Sequence, residues 1–254
     1  MKQNHPEITV IGTVGPFYEG SDYVEGWKLA DKLQVPMVDE HYYVSPGWLI
    51  YNQDFYDKYD RSKSKVYLGE YASHLPGRPN NLETALSEAL YLTAVERNAD
   101  IVQMASYAPL LAKERHTQWS PDLVYFNNDE VKPTVGYYVQ QLYGNNSGTQ
   151  YIPVQISMSD NNPAVRNRVG YSVVKDEKTG DVIIKMVNML PVEVKTTIDL
   201  SGISITGKGT KTTLKGVPAS RTEKPSVEYC IYKNEEVLPP YSFSVLRFPS
   251  KLNE

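Results

Sequence analysis

Lys65-Val-Tyr-Leu-Gly-Glu-Tyr-Ala72 decides how the chain is read. Val66, Tyr67 and Leu68 form a short apolar run flanked upstream by the polar segment Asp60–Ser64, as a strand buried on both faces requires. The run closes on Gly69, which admits a close neighbour, and on Glu70, which places a carboxylate at the strand's end. Three similar runs surround it: Ile8–Thr13 (ITVIGT), Val35–Tyr43 (VPMVDEHYY) and Asp100–Tyr107 (DIVQMASY). The stretches between them are amphipathic. Ser21 or Asp22 caps a helix to about Leu33, and Trp48 to about Tyr59 reads as another. Asn80 with Glu83 resembles a capping box opening a helix to about Asn98, with Leu82, Leu86, Leu90 and Ala94 on one face. Strand, helix, strand at this spacing predicts βα units around a parallel sheet. Four units are visible, so this half is either a small open α/β sheet or half of a (β/α)8 barrel.

From about Gln150 the helical period disappears. Tyr151–Met158, Val169–Lys175, Val182–Met189, Glu193–Leu200, Lys211–Lys215, Ser226–Tyr232 and Ser242–Phe248 read as strands, with a hairpin turn over Asp176–Asp181. Short strands at this spacing predict an antiparallel β-sandwich. The expected organisation is α/β followed by all-β, divided into 1–148 and 149–254.

Composition narrows the function. The 254 residues carry a net charge of −4 with no cluster of Lys and Arg, which argues against nucleic acid as a partner. No apolar run approaches the roughly 20 residues of a membrane span, so no membrane role is expected. Cys230 is the sole cysteine and excludes a disulfide framework within the chain. Tyrosine is abundant, 20 residues against 5 Phe and 3 Trp, and its flat face with a polar tip suits carbohydrate.

Ligands of parallel βα sheets sit at the C-terminal ends of the strands. Glu70 falls there. So does Asp39-Glu-His-Tyr-Tyr43, where alternation puts His41 and Tyr43 on one face and Glu40 and Tyr42 on the other. Either pair can face the site. Asp39 and Glu40 are adjacent on a strand, point apart, and do not make a joint acid/base pair. Past the last parallel strand, Gln118-Trp-Ser-Pro-Asp122 supplies an aromatic and an acid that can wall a ligand site or pack between domains. Other chemistries lack their residues. The four histidines are scattered, no phosphate-cradling glycine loop or Gly-x-Ser-x-Gly occurs, and Cys230 has no histidine near it in sequence. Carboxylate chemistry flanked by aromatics remains, the usual equipment of glycoside hydrolysis, with no metal or cofactor implied.

Five motifs in one order carry a resemblance: Val38-Asp-Glu-His-Tyr-Tyr43, Val66-Tyr-Leu-Gly-Glu-Tyr-Ala72, Met104-Ala-Ser-Tyr-Ala-Pro109, Trp119-Ser-Pro-Asp-Leu-Val-Tyr-Phe126 and Pro133-Thr-Val-Gly-Tyr-Tyr-Val139. Together they resemble the C-terminal half of α-L-arabinofuranosidases of glycoside hydrolase family 51. The resemblance implies a partial (β/α)8 TIM barrel, about its last four βα units, followed by an antiparallel β-sandwich. It also implies a retaining mechanism on arabinan- or arabinoxylan-type glycans. Glu70 matches the nucleophile, His41 and Tyr43 match residues near it, and Trp119 and Asp122 lie in a loop that contacts substrate. The family's acid/base is the Glu of an Asn-Glu pair on an earlier strand. Here the only such pairs are Asn234-Glu235 and Asn253-Glu254, neither at a barrel position, so the chain is expected to be inactive alone. Its sheet edges are expected to drive self-association or to be covered by Met1–Gly20. The family points to an extracellular or periplasmic parent, and the sequence itself names no compartment. The rival readings are a non-catalytic carbohydrate-binding β-sandwich module and an open α/β sheet for a non-sugar ligand.

Overall fold

The computed structural model describes residues 4–252. The first part runs β1 (Ile11–Thr13), α1 (Ser21–Leu33), β2 (Met37–Val44), α2 (Pro46–Tyr51), β3 (Lys65–Ser73), α3 (Leu82–Arg97) and β4 (Val102–Tyr107). The four strands form one parallel sheet in chain order. Val38, Val66 and Leu68 are fully buried, which anchors the sheet's centre. β1 and β4 are its edges, and β1 is shorter than expected because Ile8 turns back to His5. Of the Met1–Gly20 segment, residues 1–3 lie outside the described residues, and Tyr18 packs on Trp48 at 4.7 Å between ring centres. The Asn253-Glu254 pair also lies outside the described residues.

Three expected details shift. The helix from Trp48 stops at Tyr51 because the Asn52 side chain donates to the Trp48 carbonyl at 2.8 Å, and only a 3-10 turn at Tyr56–Lys58 follows. α1 begins after Gly20 with no side-chain cap. α3 is capped by Asn81 rather than Asn80, and Thr84 rather than Glu83 closes the box, through Asn81 Oδ1 to Thr84 N at 3.0 Å and the reciprocal contact at 3.2 Å. Asn80 instead accepts from the Gly136 amide at 3.0 Å.

Next come β5 (Leu111–Lys113), β6 (Val124–Phe126) and β7 (Val131–Pro133), a three-stranded sheet the sequence did not signal, and α4 (Val135–Asn145). The strand expected over Tyr151–Met158 is reduced to β8 (Gln150–Tyr151), followed by irregular chain and α5 (Pro163–Arg166). The remaining strands are β9 (Val169–Asp176), β10 (Asp181–Asn188), β11 (Val194–Thr197), β12 (Ile203–Ile205), β13 (Gly209–Lys215), β14 (Ser226–Cys230), β15 (Glu235–Leu238) and β16 (Ser242–Leu252). A seven-stranded antiparallel sheet has the order β14-β13-β16-β10-β9-β8 with β12 beside β16, and β11 pairs with β15 separately.

Alternation along β10 explains its two neighbours. Ile183 and Val187 join the core built on α3, while Val182, Ile184 and Met186 pack with Ile198 and Leu238 on the other side. α3 is therefore enclosed between two sheets. Tyr91, Leu92 and Val95 are buried as well as the expected Leu82, Leu86, Leu90 and Ala94. Where α3 meets β10, Lys185 is fully buried with its Nζ 2.6 Å from Glu96 Oε1 and 5.2 Å from the Tyr143 ring centre.

Candidate active site

The pairing of β2 with β3 slips at Gly69: Glu40 lies opposite Leu68, and His41 opposite Glu70. This bulge aims the Glu70 side chain at the face carrying His41 and Tyr43. Gly69 is needed for contact rather than for backbone freedom. A Cβ there would lie 1.9 Å from Asp39 Oδ1 and 3.2 Å from Tyr67 Cε1. The Ser106 hydroxyl donates to the Gly69 carbonyl at 2.6 Å and ties the bulge to β4.

At the strand ends, the Tyr43 hydroxyl donates to Glu70 Oε2 at 2.7 Å, and His41 Nδ1 stands 3.6 Å from the same oxygen. Among the described residues, no donor is recorded to Oε1. The Glu70 side chain is 41% exposed, so Oε1 faces solvent. Burial, reinforced by the Glu70 charge, holds the Tyr43 hydroxyl protonated far above its ordinary range and keeps it a donor. The Tyr43 ring stacks on His74 at 5.2 Å, which fixes the direction of that hydroxyl. Behind His41, its Nε2 lies 2.8 Å from Asp39 Oδ2. Asp39 Oδ1 is buried against the Gly69 bulge, beside the Gly69 amide and, among the described residues, without a well-aligned donor. Burial raises the Asp39 carboxyl pKa, against the opposing pull of His41.

Glu40 points the other way. Its carboxylate accepts from Trp27 Nε1 at 3.0 Å, Tyr59 at 2.8 Å and Tyr56 at 3.0 Å, and the residue is 1% exposed. Burial pushes its pKa up and these donors pull it down. The alternation left open by the sequence is thus resolved with His41 and Tyr43 on the Glu70 side.

Trp119 is 65% exposed in the loop before β6, and Asp122 is 2% exposed. The Thr117 hydroxyl accepts from the Trp119 amide at 3.1 Å and lies 3.3 Å from Asp122 Oδ2. No direct contact joins either residue to Glu70, although Leu123 and Val124 pack in the same apolar cluster as Tyr43. A cavity of about 440 Å³ bordered by Arg97, Arg166 and Tyr171 includes none of these residues. Asp39 was missed as a partner in the site. The period-2 spacing Asp39-x-His41-x-Tyr43 carries the signal, since it puts all three side chains on one face.

Residues 51–229 match the family of α-L-arabinofuranosidase C-terminal domains. The chain belongs to that family. The extracellular exo-α-L-arabinofuranosidase of Streptomyces chartreusis is 48% identical over 153 residues, covering 60% of this chain and 18% of that protein. α-L-Arabinofuranosidase A of Aspergillus kawachii is 38% identical over 113 residues, covering 44% of this chain and 18% of its own length. This member of the arabinofuranosidase family therefore spans under a fifth of those relatives. Among solved structures, the arabinose-bound MgGH51 α-L-arabinofuranosidase superposes with a TM-score of 0.84 at 25% identity, over 98% of this chain and 41% of that one. The Thermotoga maritima α-L-arabinofuranosidase in its arabinose complex gives 0.73 at 16% identity, over 97% of this chain and 58% of that one, a likeness of fold alone.

Proposed function

We propose that this chain carries the nucleophile half of a retaining α-L-arabinofuranosidase that releases terminal α-L-arabinofuranosyl units from arabinan- and arabinoxylan-type glycans. In this reading β1–β4 are the last four βα units of a partial (β/α)8 barrel, and β8–β16 form the C-terminal β-sandwich, divided near residue 148. One observation carries it. Glu70 has one oxygen held by Tyr43 at 2.7 Å and the other free toward solvent, the division of labour a nucleophilic carboxylate needs. Oε1 attacks the anomeric carbon, the bond to the leaving oxygen breaks, and a glycosyl ester forms that water then hydrolyses. Tyr43 holds the carboxylate's direction through Oε2. Trp119 walls the sugar, and Asp122 anchors its loop through Thr117.

A retaining pair needs a second carboxyl about 5–5.5 Å away. Among the described residues the nearest candidates on the sheet are committed elsewhere: Asp39 behind His41, and Glu40 on the opposite face. The chain alone is therefore proposed to be inactive on substrates whose leaving group needs a proton. The β1 and β4 edges are the proposed sites where further strands, or a second copy, complete the sheet. A second reading, a carbohydrate-binding module without catalysis, rests on Tyr229, 87% exposed on β14.

The test uses a dinitrophenyl fluoroarabinofuranoside, whose leaving group departs as an anion without acid help. The expected result is one sugar per chain by intact mass, mapped to Glu70 and absent from Glu70→Gln. Labelling elsewhere, or none in a folded chain, overturns the nucleophile assignment. Arabinan binding that survives Glu70→Gln but not Tyr229→Ala supports the second reading.

A further inference from the structure

A proton must be placed in the row Asp39, His41, Glu70, and only some placements fit the distances. Nε2 of His41 lies 2.8 Å from Asp39 Oδ2, so a hydrogen bond links those atoms in one direction or the other. Nδ1 faces Glu70 Oε2 at 3.6 Å, a contact of the length that tightens when an open site binds its ligand. An ionised Glu70 only accepts. A neutral imidazole protonated on Nε2 would then turn the Nδ1 lone pair toward a carboxylate oxygen, acceptor against acceptor. A proton on Nδ1 serves Glu70, and the second proton of the row lies between Nε2 and Asp39 Oδ2: on nitrogen it makes an imidazolium between two carboxylates, on oxygen it leaves a neutral ring that accepts from Asp39. The surroundings of Asp39 suit a neutral carboxyl. Oδ1 is buried against the Gly69 backbone; the Gly69 amide helps an anion there, but among the described residues no well-aligned donor reaches Oδ1, and burial is the larger effect. The groups facing the row are few. Tyr43 donates to Glu70 from the same strand as His41, Gly69 and Glu70 face it from β3, and among the described residues no Lys or Arg makes an ion pair with either carboxyl.

We propose that Asp39 is a positioning residue that holds the site's spare proton: its carboxyl donates to Nε2 of His41 and so fixes Nδ1–H toward Oε2 of Glu70. The row then carries one negative charge, on the group with the free oxygen. Tyr43 and His41 both address Oε2, which leaves Oε1 as the attacking atom. The proposal deepens the nucleophile reading and rests on it for its kinetic part, while its proton placement stands on geometry alone.

The experiment has two readouts. The first is long-range 1H–15N correlation on the intact chain with 15N-labelled histidine at neutral pH, His41 being assigned by the signals lost in His41→Gln. The expected spectrum shows His41 as the neutral tautomer with the proton on Nδ1, and Asp39→Asn, whose amide still donates to Nε2, keeps it. A proton on Nε2, or on both nitrogens, overturns the proposal. The second readout is the rate of Glu70 labelling by the fluoroarabinofuranoside. Asp39→Asn is expected within about threefold of the unmodified chain and Asp39→Ala slower by roughly 10- to 100-fold, the usual scale for losing the partner that orients a functional histidine. Equal rates in all three overturn the positioning role. An unmodified chain that takes no label while showing the Nδ1–H tautomer rejects the nucleophile reading and leaves the proton placement standing. If Asp39→Ala does not fold, the tautomer of the unmodified chain and of Asp39→Asn decides the matter.

Discussion

Glu40 and Glu70 lie on neighbouring parallel strands, β2 and β3, each supplied with a tyrosine hydroxyl, yet they occupy opposite faces of the sheet. On the helix side, Glu40 is enclosed by Trp27, Tyr56 and Tyr59, both oxygens engaged, 1% exposed. On the open side, Glu70 has Tyr43 on Oε2, a side chain 41% exposed and Oε1 free. Residue type does not separate the two. What separates them is how many lone pairs the protein fills and whether water reaches the rest. A carboxylate whose hydrogen bonds are complete holds structure together, and one left incomplete by design of the fold is available to react.

The largest expected effect tests this contrast directly. Glu70→Gln should abolish covalent labelling, a loss of about 10³-fold or more. It should change unfolding free energy by no more than about 0.5 kcal/mol, as for an exposed site. Glu40→Leu should do the reverse. One buried donor, Tyr56, and two part-buried ones, Trp27 and Tyr59, lose their acceptor, which costs on the order of 2–4 kcal/mol. Labelling per folded molecule should stay within a few fold. Urea denaturation with intact-mass kinetics on both variants reads the two effects, and a Glu40 variant that keeps its stability but loses labelling would invert the comparison.

Glu96 extends the closed set to the contact between α3 and β10. Its partner Lys185 is fully buried at 2.6 Å, so Lys185→Met leaves a buried carboxylate with only Ser172 to hydrogen-bond it. Breaking such a pair costs about 3–5 kcal/mol, whereas Lys185→Met combined with Glu96→Leu should regain most of the loss. Equilibrium unfolding of the two singles and the double gives the coupling.

Glu88 is a closed carboxyl of a third kind. It accepts from the Ser73 amide at 2.9 Å through one oxygen, and the other is buried beside the Gln140 side chain, among the described residues without a well-aligned donor. Burial raises its pKa from 4.5 to about 8. The folded state therefore keeps a proton that the unfolded chain releases at lower pH. The contribution is fully present below about pH 4.5 and is lost as pH rises through 8, on the order of 4–5 kcal/mol in all. Melting curves at intervals from pH 5 to 8 should show this decline in the unmodified chain and a flatter profile in Glu88→Gln.

The alternation of parallel strands with helices, the hairpin at Asp176–Asp181 and the carboxylate on β3 were legible in the sequence, because each rests on a local period or a turn signal; β3 itself runs three residues past Glu70, to Ser73. The division of β2 into two faces was legible too, but not which face is open. That depends on Trp27, Tyr56 and Tyr59 arriving from other segments to close over Glu40. The Gly69 bulge was half legible: the glycine announced a close approach without naming Asp39 as the neighbour. β5, β6 and β7 were hidden because strands of three residues carry too little alternation to register, and β5 pairs with β6 across 13 residues. The cap of α3 was displaced by one residue because Asn80 and Asn81 are equally good caps in isolation, and the Gly136 amide claims the first.

The smallest expected effect probes the seam between the faces. In Gly69→Ala the new methyl would meet Asp39 Oδ1 at 1.9 Å and Tyr67 Cε1 at 3.2 Å. The carboxyl is the end of a flexible side chain and yields first, swinging away from Nε2 of His41. The cost in stability should be only about 1 kcal/mol. Labelling should fall as it does in Asp39→Ala, since both changes remove the same contact. In an Asp39→Ala background the clash is gone, so adding Gly69→Ala should slow labelling little further, and the cycle should show strong coupling. Additive losses would mean that the bulge steers Glu70 by its own backbone path, independent of Asp39, and would separate the two devices that the open face is argued to share.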